Sequence, residues 1–190
     1  MVIRTALNFL FLYIVAVAAC YAEQAAGIEN SWDVRTILTN LGKDTDQLKP
    51  LLANLKPQQW CDQKGASSTY ILQWQTAQRQ LNDISVTSKL LAQKTESLPL
   101  ALDDYFRLEA LDVTTRSLEE GTRKYGDRAT ADQLGRLIAR NFTNRERLRD
   151  YLRDLAASTE QNFKIADEEA QRCRGMISKE PTSASKKLRK

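Results

Sequence analysis

Apolar residues recur along this chain at intervals of three and four, and they do so in four blocks. From Ser31 onward, Val34, Leu41, Leu48 and Leu55 fall seven apart, with Ile37, Leu38, Leu51 and Leu52 on the same face. That is the stripe of an amphipathic helix. Pro50 is expected to kink or break it, because proline removes an amide donor and crowds the preceding turn. Pro57 is expected to end the region, and Trp60 to Gly65 reads as a connection. The second block is the most regular: Tyr70, Trp74, Ala77, Leu81, Ile84, Ser88, Leu91, Thr95 and Leu98 alternate steps of four and three without a slip. Such a run is the a/d seam of a coiled coil or an antiparallel bundle.

A third helix is predicted from about Leu98 to Tyr125, with Pro99 tolerated in its first turn. Its inward stripe is Ala101, Tyr105, Leu108, Leu111, Thr115 and Leu118, and Gly126-Asp127 closes it. Thr130 to Gln133 has capping-box spacing and is expected to open the fourth helix. That helix runs to about Met176, with Leu134, Ile138, Leu148, Leu152, Leu155, Ala166, Ala170, Cys173 and Ile177 on one stripe. Asn141 and Arg145 interrupt the stripe, which predicts a local bend or partial exposure there. Short loops between amphipathic helices predict an all-α, antiparallel four-helix bundle over residues 31–177. The last helix, roughly 70 Å long at ~1.5 Å per residue, would overhang its neighbours. An overhanging end is either a partner site or a frayed end.

Composition agrees with one helical domain: 190 residues, 42% hydrophobic, with only 7 Gly and 4 Pro. The formal net charge of +4 looks like a hint of nucleic acid until it is localised. Residues 179–190 alone carry +4, and removing them and Arg4 leaves the body near −1. The basic balance therefore belongs to a disordered tail over 178–190, and a nucleic-acid partner is not expected.

The first residues carry a different signal. Arg4 precedes an apolar run from Ala6 to Ala19 broken by Asn8, with small residues around Cys20 and Ala22, the pattern of a secretory signal over 1–22 followed by a linker over 23–30. The run is shorter than the ~20 residues a membrane-spanning helix needs. Val17-Ala18-Ala19-Cys20 resembles a bacterial lipobox, which makes Cys20 a candidate lipidation site; Cys20-Tyr21-Ala22 instead suits ordinary signal peptidase. Either route delivers the protein to the periplasm or beyond, with lipid on Cys20 or the basic tail as the possible membrane attachments.

No histidine is present, which removes Ser-His-Asp and Cys-His catalysis, His-containing zinc and di-iron sites, and histidine-ligated haem. No cofactor, no metal site and no catalytic residue are expected. The acidic pairs Asp103-Asp104, Glu119-Glu120 and Asp167-Glu168-Glu169 diverge by ~100° per residue on a helix and read as solvated faces. Arg145, Arg149 and Arg153 alternate with Glu146, Asp150 and Asp154, so opposite charges cancel along an exposed helix. Trp74 lies on the seam and reads as core, Trp60 as a cap on one end of the bundle, and Trp32 stays undecided. Cys61 and Cys173 form the candidate disulfide, because two exported thiols would meet an oxidising compartment. A plain bundle sets them at opposite ends, so the bond requires the last helix to fold back near 141–144, or the second and third helices to run on through Pro99.

Tyr105-Phe106-Arg107-Leu108, Arg123-Lys124-Tyr125, Arg147 to Tyr151 and Glu169 to Arg174 resemble a family of exported helical proteins from soil bacteria, over about residues 30–175. The resemblance implies export and an all-helical fold, and no catalytic residue. Thr130-x-x-Gln133 is similar to part of the Leu-Thr-x-x-Gln signature of small helical periplasmic chaperones, with Ala129 in place of the leucine and no second copy. The expected function is a non-catalytic structural or interaction role in the cell envelope with an unidentified protein partner; the alternative is a chaperone-like binder of unfolded clients.

Overall fold

The computed structural model describes residues 31–179, and the side chains of 33–178. The signal over 1–22, Cys20, the linker over 23–30, the Trp32 side chain and the tail beyond 179 lie outside the described residues. Five helices follow in order: α1 (Ser31–Ala53), α2 (Pro57–Lys64), α3 (Thr69–Gln93), α4 (Leu98–Tyr125) and α5 (Arg128–Lys179). No strand occurs among the described residues.

The four long helices form the expected antiparallel bundle, running up, down, up and down, with α1 and α4 on one diagonal and α3 and α5 on the other. Cross-links between helices fix the directions. Trp74 of α3 donates its indole N–H to the Leu52 carbonyl at the end of α1, at 2.6 Å, while Arg35 at the start of α1 reaches Ala92 near the end of α3. At the turn from α4 to α5, Arg123 pairs with Asp132 at 2.8 Å. The interior is aliphatic, with Val34, Ile37, Leu41, Leu48 and Leu52 of α1 meeting Leu81, Ile84 and Leu91 of α3, Leu118 of α4, and Leu134 and Leu148 of α5, all essentially sealed from solvent.

Helix α1 does not break at Pro50 but runs through it and stops at Ala53. Pro50 is exposed, and the carbonyl it leaves without a donor belongs to exposed Asp46 on the solvent side, while Leu48 and Leu52 hold the opposite face in the core. Pro57 starts a helix instead of ending a region: it occupies the first turn of α2, where a missing N–H costs nothing. Trp60 to Lys64 are therefore helical, and Gly65 closes α2 in the left-handed conformation (φ 66°) that glycine adopts without strain. Trp60 does cap the bundle end, buried and edge-on to Tyr70, which in turn meets Tyr125 edge-on. Tyr70 packs so closely on Gly121 that a Cβ there would lie 2.6 Å from its ring.

The start of α5 differs as well. Asp127, not Thr130, is the cap: its Oδ2 accepts from both the Thr130 amide and the Thr130 hydroxyl at 2.8 Å. These hydrogen bonds hold the Asp127 carboxyl below its ordinary pKa. Helix α5 neither folds back nor breaks near 141–144, but runs 52 residues, about 78 Å at ~1.5 Å each.

Candidate interaction surface and buried polar sites

The acidic pair in α4 is split by the helix. Asp103 is exposed and holds Arg107 at 2.9 Å, whereas Asp104 is fully buried against α3. Asp104 accepts from Thr87 at 2.6 Å and from Ser88 at 2.9 and 3.0 Å. Burial pushes its carboxyl above the ordinary pKa, the two hydroxyls pull back, Asp103 adds to the rise and Arg107 opposes it. Reading both acids as a solvated face is thus wrong for Asp104. The buried seam of α4 is Ala101, Asp104, Leu108, Leu111, Thr115, Leu118 and Thr122, and Tyr105 is only half-buried beside it. A raised pKa can mark a general acid, but the Ser88 and Thr87 hydroxyls are themselves buried and turned to the carboxyl. The cluster locks α3 to α4.

Arg145 lies on the core stripe of an unbroken α5 and is buried there. It is 6% exposed, with Nε 2.8 Å from Glu109 and a second nitrogen 3.2 Å from Asp112. The Nε hydrogen points off the line to Glu109, so that contact is ionic without being a hydrogen bond. Asp112 is shared with Arg116 at 2.8 Å, and the Arg145 guanidinium stands 5.3 Å from the Phe142 ring centre. Asn141 Oδ1 is buried beside it with no hydrogen-bond partner. The void they share with Leu108, Leu111 and Ile138 is about 10 Å³, far too small for a metabolite. On the other flank of α5, buried Asp44 takes Arg140 at 2.8 Å and Asn144 at 3.3 Å. Both clusters fix the register of α5 and offer no reactive group to solvent.

Near the end of the packed part of α5, Tyr151 donates its hydroxyl to the Thr95 carbonyl in the loop between α3 and α4. After Leu155 no described residue is buried. Ala166, Ala170, Cys173 and Ile177, expected on the core stripe, therefore lie on a helix that has left the bundle behind. From 156 to 179 this overhang is about 36 Å long at ~1.5 Å per residue. Phe163 (74% exposed), Met176 (63%) and Ile177 (74%) stand in water along it.

The cysteines follow from this shape. Cys61, on α2 at the closed end, donates its thiol to the Ser67 carbonyl at 3.3 Å. Cys173 is exposed on the overhang beyond the opposite end, and the two thiols are free of one another. The conditions for pairing, a fold-back near 141–144 or a merger through Pro99, are both absent.

Among the described residues no group of acidic, cysteine or histidine side chains is placed to hold a metal, and no helix is long and apolar enough to cross a membrane. The sequence pattern puts Arg145 on the core stripe, where it is buried instead of partly exposed, and the three-four step through 101, 104, 108 and 111 places Asp104 inside, against its reading as a solvated face. Comparison with known proteins yields no matching family model, no matching curated protein and no matching solved structure.

Proposed function

We propose that this protein is a non-catalytic interaction module of the bacterial cell envelope, a rigid bundle that presents the far end of α5 to a protein partner. The observation that carries the reading is the mismatch in length. Three helices end where Leu155 ends the core, and the fourth continues for two dozen residues with Phe163, Met176 and Ile177 uncovered. With Ile165 these make four large apolar side chains left exposed on one element, and exposed apolar surface is where protein partners dock. The polar clusters at Asp104, Arg145 and Asp44 support it by making the bundle a stiff base. Export, with lipid on Cys20 as the anchored form, rests on the pattern of residues 1–22.

A chain ended at Ala157 tests this. It is expected to unfold within about 0.5 kcal/mol of the parent, since nothing buried is lost, and to lose a co-purifying envelope protein that the parent retains. Undiminished capture by the shortened chain would refute the reading. Suppression of a denatured client's aggregation at near-stoichiometric ratio, by both chains alike, would favour the chaperone alternative.

A further inference from the structure

Resting on the overhang as the docking surface, we infer that its occupant is a second copy of this chain, laid antiparallel on the first. Phe163, Ala166, Ala170, Cys173 and Ile177 step by three, four, three and four, the spacing of a coiled-coil seam. Among the described residues none is buried along that seam: Phe163, Ala166, Cys173 and Ile177 are exposed and Ala170 partly so. Most helical stability in proteins comes from packing an amphipathic face, and a partner helix supplies what the bundle does not.

Charge selects the partner. Up to residue 169 the overhang carries Glu160, Asp167, Glu168 and Glu169 against Lys164, and from 170 to 179 it carries Arg172, Arg174 and Lys179 with no acid. A parallel copy sets acid on acid and base on base. An antiparallel copy sets each half on its opposite, and a two-fold axis is the commonest symmetry of homodimers.

The same charges suit one register. Layering Ala166 on Ile177 and Ala170 on Cys173 of the second copy sets a smaller side chain against a larger one in these four layers, with Phe163 beyond them. Asp167 and Arg174 each follow a seam position by one residue, and this register brings them opposite one another twice. A slip of one heptad one way brings Arg174 onto its own counterpart; a slip the other way brings Asp167 onto its own but sets Glu160 opposite Arg174 twice, and charge-swap variants decide between that register and this one. Cys173 then faces Ala170, not the other Cys173, so the dimer needs no disulfide.

Sedimentation equilibrium of the purified protein, from micromolar to hundred-micromolar concentration, tests the inference. The parent is expected to be a dimer whose mass is unchanged by reductant. Asp167→Arg and Arg174→Asp are each expected to weaken it roughly tenfold, two symmetric attractions becoming two repulsions, and the double variant Asp167→Arg/Arg174→Asp to restore it. A monomer at every concentration, singles that change nothing, a double variant as weak as the singles, or a dimer linked through Cys173 would each overturn it. A monomer that still captures an envelope protein through residues 158–179 would sink the self-pairing and leave the docking role standing.

Discussion

Replacing Arg145 by alanine removes the one cation that α5 carries into the bundle interior. Its guanidinium is 7% exposed and serves Asp112 at 3.2 Å and Glu109 at 2.8 Å. The two acids then differ in what remains to them. Glu109 is 39% exposed and turns to water, while Asp112 is 13% exposed and keeps only Arg116. Removing one partner of a buried ion pair costs about 3–5 kcal/mol, and the lost stem opens a void beside Phe142 and Asn141. For a chain of this size each kcal/mol lowers the melting temperature by roughly 2–4 °C, so a fall of about 6–20 °C is expected. Arg145→Met restores the volume without the charge and is expected to cost about half as much. Urea unfolding followed by circular dichroism gives both numbers. A loss below about 1 kcal/mol for Arg145→Ala, the scale of a surface pair, would refute the view that this cluster fixes α5.

Other expectations are as direct. Burial holds the Asp104 pKa above its unfolded value, so the carboxyl favours the fold fully below the unfolded pKa and loses that contribution as pH rises through the folded one. Asp104→Asn keeps an acceptor for Thr87 and Ser88 and does not titrate; its stability relative to the parent should therefore improve from about pH 4 to about pH 7, and an unchanging difference would contradict the buried acid. Tyr151→Phe strands the buried Thr95 carbonyl and should cost about 1–3 kcal/mol in the same unfolding assay, whereas no loss would mean the hydroxyl bond does not hold the α3–α4 loop.

Much of the fold was legible because a seam of steps of three and four admits few other structures. The α3 seam from Ala77 to Leu91 is buried where the pattern put it. What escaped was the reach of local signals. Pro50 predicts a kink or a break, yet the helix continues through it, because one lost donor on the solvent side is outweighed by Leu48 and Leu52 in the core. The α5 stripe was continuous in sequence, but burial needs neighbours, and α1, α3 and α4 supply none past Leu155. Periodicity reports which residues share a face and is silent on whether anything lies against it. Asp104 was misplaced for a different reason: a charged residue on a seam was moved outward by habit of polarity, although Thr87 and Ser88 were placed to receive it.

The central claim, that the end of α5 is the surface this protein offers to a partner, is tested most directly by site-specific photo-crosslinking in the living cell. A photoreactive residue is placed at Phe163 or Ile177 on the overhang, and at Val113, which is equally uncovered on the side of the bundle. Adducts of defined mass, to a second copy or to another protein, are predicted at the two overhang positions and not at Val113. No adduct at Phe163 or Ile177, or the same adducts at all three positions, would contradict the account.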